Sequence, residues 1–198
     1  MIDNDIYVID NVITKYNQNQ IEDLFISSKL PWIFFKDIAL PASEIKRLGI
    51  TKLTPGIACY IKQDNPKFIN DNLLREVKVI TDEACKKVGK ECKEIYNARS
   101  FMHFPLATEL RKEYDNIHVD VGYEHLVCLY YVNDSDGDTF LFNRTKKDGP
   151  IPKDSELEIL KRVSPKKGRV VLFDGSRYHS SSGPSKDVRC IINFNVKI

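Results

Sequence analysis

No run of this sequence approaches the ~20 consecutive apolar residues that a membrane-crossing helix needs. The opening residues, "MIDNDIYVID", are acidic and lack the basic start and apolar stretch of a secretion signal. A cytoplasmic protein with no membrane partner is expected. The five cysteines (Cys59, Cys85, Cys92, Cys128, Cys190) are odd in number and form no C-x-x-C pair. That argues against a disulfide framework or a zinc knuckle. Cys128 and Cys190 fall inside apolar runs, where a thiol behaves as a small hydrophobe. There is no internal repeat, no low-complexity tract and no long basic stripe. Net charge is +2, and the positive residues gather only in short clusters at Lys86-Lys87, Arg144–Lys147 and Lys161–Lys167. A nucleic-acid footprint is therefore not favoured.

What is present suits a soluble globular chain. Its 198 residues are 42% hydrophobic and 29% charged, enough for one domain with a proper core. The expected layout is a single domain over 1–198, with helix and strand support over about 1–94 and a β-rich core over about 95–198. "DIYVIDNVI" reads as a short strand, followed by a helix over about 15–29 with Thr14 as its cap. Residues 31–61 read as strands joined by loops. A second helix is expected from an Asn65 cap and Pro66, with Phe68, Ile69, Leu73, Leu74, Val77, Ile80, Ala84 and Val88 on its buried face and Gly89 as its stop. Beyond Ile95 the texture changes to short β-rich runs: "IYNARSFMHF", "IHVDV", "HLVCLYYV", "DTFLFN", "ILKRVSP", "RVVLFDG" and "VRCIINFNV". Turn signals such as Asp136-Gly137, Asp174-Gly175 and Ser182-Gly183-Pro184 separate them, the pattern of a sandwich or barrel.

Two of these strands carry further information in their alternation. In the last strand, Val188, Cys190, Ile192, Phe194 and Val196 share an apolar face. Arg189, Ile191, Asn193 and Asn195 share the other, which suits either a wet surface or a polar cavity inside a barrel. In "HLVCLYYV" both faces are apolar, so the strand should be central and covered on both sides. One of its two tyrosine hydroxyls then needs a buried partner.

The segment "NIHVDVGYEHLVCLYY" raises the chemical question. His118 and Asp120 stand at i and i+2, which on a strand places both side chains on one face. They can offer an imidazole nitrogen and a carboxylate oxygen to one ion. A second histidine would complete the two-His, one-carboxylate facial set that is diagnostic of non-haem Fe(II) oxygenases. Two histidines compete for that place: His125, five residues after Asp120, and His179, placed at the end of the strand "RVVLFDG". Ten residues after His179 comes Arg189, on the polar face of the last strand. His103, on the β-rich run "IYNARSFMHF", is expected to pack or cap and is given no role.

H-x-D, a distal His and an Arg ten residues later resemble the 2-oxoglutarate/Fe(II)-dependent dioxygenases, and among them the prolyl-4-hydroxylase-like branch. The signature spans about half the chain, residues 95–198. "CLYYVND" is similar to the family strand whose second tyrosine, here Tyr131, bonds the cosubstrate. "DGDTFLF" resembles its Gly-Gly-x-Thr turn and strand, with Asp138 in place of the second glycine. "VSPKKGRVVLFDGSRYH" resembles the Pro-x-x-Gly turn and strand that lead to the distal histidine.

The resemblance implies a double-stranded β-helix core, jelly-roll or cupin-like, with N-terminal helices packed on one sheet. It implies Fe(II) held by His118, Asp120 and His179, with 2-oxoglutarate and O2 as cosubstrates and ascorbate as an accessory candidate. Arg189 would pair with the far carboxylate of 2-oxoglutarate through its planar fork, and the Tyr131 hydroxyl would add a hydrogen bond. Leu129, Thr139 and either Asn193 or Asn195 would line the same cavity. On this reading His125 is set aside in favour of His179. The implied reaction is hydroxylation of an organic substrate with release of succinate and CO2. A peptide or small molecule is favoured, and peptidyl proline is the first guess. The nucleic-acid-demethylating branch shares an Arg followed four residues later by Asn, as in "RCIIN". It typically has a second Arg where this chain has Asn195. Two rivals of another class are a non-catalytic jelly-roll binding module and a metal-free structural sandwich. Substrate contacts are expected from the loops at 31–64, 104–117 and 175–187.

Overall fold

The computed structural model describes residues 6–26, 30–38, 42–50, 53–63, 69–149 and 157–198. In chain order these form strand β1 (Tyr7–Ile9), helix α1 (Lys15–Ile26), β2 (Ile33–Phe35), helix α2 (Ala42–Leu48), β3 (Gly56–Lys62) and helix α3 (Asp71–Lys87). Then follow β4 (Glu94–His103), β5 (Leu126–Tyr131), β6 (Thr139–Thr145), β7 (Ile159–Val163), β8 (Val170–Asp174), β9 (Arg177–Ser181) and β10 (Arg189–Lys197). The described strands make a seven-stranded sheet in the order β1-β8-β5-β10-β4-β3-β2 and a three-stranded sheet in the order β7-β6-β9. Every pairing is antiparallel. The expected mainly-β fold is therefore present, and β1, β2 and β3 join the same sheet as β4, β5, β8 and β10.

Two apolar layers hold the sheets in place. Val127, Leu129, Tyr131, Val171, Phe173 and Ile191 of the large sheet pack against Leu141 and Val163 of the small one. On the outer face of the large sheet, Cys128, Tyr130, Leu172, Ile192 and Phe194 pack with Ile21 and Phe25 of α1 and with Leu73, Val77, Ile80 and Ala84 of α3. This explains why β5 and β10 are buried along almost their whole length: each is covered by helices on one face and by the second sheet on the other. The expected packing of helices on one sheet is met. Among the described residues, no helix is long and apolar enough to cross a membrane.

The helix starts differ in part from the sequence pattern. Thr14 Oγ1 accepts from the backbone N–H of Asn17 at 3.2 Å, so α1 begins at the expected cap. α3 begins five residues later than expected. Asn70 caps it, accepting from the N–H of Leu73 at 3.1 Å, and Ile69 precedes the helix. Asn65, Pro66 and Phe68 lie outside the described residues. The stop at Gly89 holds: its φ of 71° is the left-handed geometry glycine tolerates best. α2 was not foreseen, because seven residues give too few turns for a helical period to show.

Candidate active site in the cavity between the sheets

The segment "IHVDV", expected to be a strand, is an irregular stretch with one isolated bridge. His118 and His179 exchange backbone hydrogen bonds of 3.0 Å in both directions. That bridge, rather than strand alternation, brings the first histidine to the site. His179 is also not at the end of β8. Asp174 Oδ1 accepts from the N–H of Ser176 at 2.8 Å, the chain reverses, and His179 sits in the middle of β9, opposite Leu141 of the other sheet. The turn carries the chain from the large sheet to the small one, so the two histidines meet across the mouth between sheets.

The side chains of His118, Asp120 and His179 come together. One ligand atom from each lies within 4.8 Å of the others, close enough to share an ion with bonds of about 2 Å. Asp120 Oδ1 is 3.9 Å from His118 Nε2 and 3.8 Å from His179 Nε2. The other nitrogen of each ring is engaged. His118 Nδ1 donates to the carbonyl of Asn116 at 2.9 Å, and His179 Nδ1 donates to the carbonyl of Arg177 at 3.0 Å. Those bonds fix the tautomers and leave both Nε2 lone pairs facing Asp120. Asp120 Oδ2 accepts from Asn193 Nδ2 at 2.7 Å, which orients the carboxylate and leaves Oδ1 toward the rings. Burial, the charge of His179 and other effects hold the His118 pKa down to about 4. Burial also works against charge on His179 and Asp120, but the attraction between the two groups outweighs it: His179 is raised and Asp120 lowered. Two unspent imidazole nitrogens and a free carboxylate oxygen fit a first-row divalent metal.

These three line a cavity of about 380 Å³. Leu129, Thr139, Arg189 and Asn193 line it as well. The polar face of β10 therefore looks inward. Arg189 is 2% exposed. Its Nε donates to the carbonyl of Gly137 at 2.7 Å and its Nη2 to Thr139 Oγ1 at 2.9 Å. Among the described residues no carboxylate pairs with it, and burial lowers its pKa. Gly137 is needed for this approach, since a Cβ there would lie 2.8 Å from Arg189 Cδ and 2.7 Å from the carbonyl of Ser182. Asp138, where the resemblance anticipates a second glycine, is buried and pairs with Arg162. Asn195 is buried but lies outside the cavity lining.

Tyr131, expected at the cosubstrate, and His125, set aside as a ligand, both lie off the cavity wall. The Tyr131 hydroxyl donates to Thr139 Oγ1 at 2.7 Å and lies 3.4 Å from the carbonyl of Val163. This supplies the buried partner the strand required, but Tyr131 is packed behind Thr139 rather than on the cavity wall. His125 is away from the metal ligands. Its Nδ1 donates to the carbonyl of Tyr123 at 2.8 Å, and its ring lies against Gly175.

The sequence reading missed one wall of the cavity. Arg99, Phe101 and His103 of β4 stand opposite Asn193, Ile191 and Arg189 of β10, and all line it. Arg99 stacks on the Phe101 ring at 5.2 Å and lies 3.7 Å from Asp120. His103, expected to pack or cap, is 4% exposed and lines the cavity, and its Nδ1 has no hydrogen-bond partner among the described residues. Burial and the nearby Arg189 charge lower its pKa to about 3, so the imidazole is neutral. Asp115 lines the far side, bonded to the Thr54 hydroxyl and raised in pKa by burial. The alternation of Asn97, Arg99, Phe101 and His103 against Ala98, Ser100 and Met102 was legible as a second polar inward face.

No protein-family model matches the chain, and no curated relative does so significantly. Solved structures do resemble it. A 2OG-Fe(II) oxygenase family oxidoreductase from Burkholderia pseudomallei superposes with a TM-score of 0.67 at 10% identity, covering 97% of this chain and 84% of that one. The α-ketoglutarate-dependent epimerase SnoN from nogalamycin biosynthesis gives 0.63 at 9% identity, covering 96% and 77%. A prolyl-4-hydroxylase from Pseudomonas putida gives 0.54 at 10% identity, covering 98% and 93%. At such identities the likeness establishes the fold: a double-stranded β-helix of the kind 2-oxoglutarate oxygenases use.

Proposed function

We propose that this protein is a non-haem Fe(II)- and 2-oxoglutarate-dependent dioxygenase that hydroxylates an organic substrate. One observation carries the reading: a buried guanidinium with no carboxylate partner among the described residues faces the same cavity as a two-His, one-carboxylate cluster. A charge taken out of water without a counter-ion costs several kcal/mol, so Arg189 calls for an anion in the cavity. A dicarboxylate that chelates a metal at one end meets both requirements.

The roles follow from position. His118, Asp120 and His179 would hold Fe(II), with their second hydrogen bonds to Asn116, Arg177 and Asn193 fixing their aim. Arg189 would grip the far carboxylate of 2-oxoglutarate, with the Thr139 hydroxyl beside it. Leu129, Phe101 and Ile191 would exclude water along the cosubstrate. Bound there, Fe(II), 2-oxoglutarate and O2 supply the oxidising chemistry, with succinate and CO2 released as a substrate C–H bond is hydroxylated. The fold is shared with a prolyl-4-hydroxylase and with an epimerase, so peptidyl proline and small molecules are the substrate arms to test, with ascorbate as an added reductant.

The test has two stages. Anaerobic Mn(II) titration should show one site in the wild type and none in His118→Ala. Unchanged binding in that variant would overturn the metal assignment. Succinate release from 2-oxoglutarate is then measured against proline-containing peptides, free amino acids and nucleic acid. No stimulation by any peptide removes the prolyl arm. Metal binding with no succinate under any condition would point to a binding module.

A further inference from the structure

The unspent imidazole of His103 bears on which cosubstrate the cavity accepts. His103 and Arg189 are directly opposed on neighbouring antiparallel strands. Such pairs project from the same face, with their side chains in reach of each other. His103 is 4% exposed and lines the cavity, and its buried Nδ1 finds no partner among the described residues. A neutral imidazole carries one N–H donor, and leaving it buried without an acceptor is costly. Charge is disfavoured on the ring by burial and by Arg189, so it stays a neutral donor. The residue first expected to share the carboxylate with Arg189 was Tyr131, but its hydroxyl is directed to Thr139.

We propose that His103 is the second protein donor to the carboxylate held by Arg189, and that this pair selects a dicarboxylic 2-oxo acid over a monocarboxylic one. The inference rests on the 2-oxoglutarate reading above. It concerns binding and selectivity at the end of the cavity away from the metal.

The experiment is calorimetry on the full-length, Mn(II)-loaded protein with a matched pair of probes. 2-Oxoglutarate carries the far carboxylate; 2-oxopentanoate has the same chain length without it. In His103→Leu, affinity for 2-oxoglutarate should fall roughly 10- to 100-fold, the worth of one hydrogen bond to a charged group. Affinity for 2-oxopentanoate should not change. His103→Gln or His103→Asn, which return an N–H near the two ring nitrogens, should recover at least part of the loss. Equal weakening for both probes, or no weakening, overturns the role of His103. So does a loss that neither amide variant recovers, since simple packing then suffices. Failure of the wild type to bind 2-oxoglutarate would instead overturn the underlying cosubstrate reading, and this inference with it. Thermal melts of each variant establish that the chain is folded.

Discussion

Replacing Arg189 with methionine separates a structural arginine from a ligand-binding one. A guanidinium locked in a structural ion pair leaves an unpaired buried carboxylate when removed, at a cost of about 3–5 kcal/mol. Arg189 has no such partner among the described residues; it has two hydrogen bonds, to Gly137 and Thr139. Losing them costs ~3–6 kcal/mol at the usual 1.5–3 each for a charged donor. Removing a desolvated, unpaired charge returns several kcal/mol. The two nearly cancel, so Arg189→Met should melt within about 8 °C of the wild type, taking ~2 kcal/mol of imbalance at 2–4 °C per kcal/mol.

The ligand response should differ sharply. At 2-oxoglutarate concentrations of about 100 Kd, the Mn(II)-loaded wild type gains ~2.7 kcal/mol, a rise of about 5–11 °C. A roughly 100-fold loss of affinity would leave the variant ~0.4 kcal/mol, or under 2 °C. The assay is a pair of melting curves with and without 2-oxoglutarate, with Mn(II) in place of iron to prevent turnover. A variant that melts far below the wild type yet keeps the full ligand shift would refute the assignment.

Four further outcomes are expected. Asn193→Ala removes the donor to Asp120 Oδ2 and should weaken Mn(II) binding about 10- to 100-fold by titration, with the fold intact. Tyr131→Phe deletes the buried bond to Thr139 and should lower the melting point by about 2–4 °C, for ~1 kcal/mol. Gly175→Ala would set a Cβ 2.1–2.4 Å from three atoms of the His125 ring. It should destabilise by about 3 kcal/mol, and His125→Ala in the same chain should recover much of this. Asp10 is held to a pKa of about 2 by hydrogen bonds from Arg169 and Lys166. Its contribution is complete above its ordinary pKa of 3.8 and is lost as pH falls through about 2. The stability gap between wild type and Asp10→Asn should therefore be flat at neutral pH and close in that acid window.

The sequence revealed the site more clearly than its supports. Residue type and spacing drew attention to His118 and Asp120 and left His125 and His179 in competition; the resemblance to the 2-oxoglutarate dioxygenases chose His179 and gave Arg189 its role. Alternation along β10 separated a polar face from an apolar one, because a strand has only two faces; that the polar face looks inward needed the second sheet to be seen. The same test on β4 would have found Arg99 and His103, but Phe101 between them made the run look like ordinary core. Asp115 and Thr54 carried no local signal, since a turn residue and a strand-end hydroxyl reach the cavity only through tertiary contact. The turn at Gly175 was visible; that it moves the chain from one sheet to the other was not, because sheet membership is set by partners far away in sequence. The late start of α3 shows an apolar pattern running past the residue whose side chain satisfies the first free N–H groups.

Thr139 offers a last consequence. Its oxygen accepts from the Tyr131 hydroxyl and from Arg189 Nη2, and a hydroxyl oxygen has only two lone pairs. With both filled, the only free direction left belongs to its own hydrogen, and Thr139 lines the cavity. Tyr131 thus acts at a distance, setting the polarity of a neighbour's hydroxyl rather than touching the ligand. At Thr139 and Arg189 the wall presents hydrogens and no lone pairs. A carboxylate fits such a surface; the same group as a primary carboxamide would turn an N–H toward another N–H or O–H. The discrimination between acid and amide is thus written into the bonding of a threonine that carries no charge.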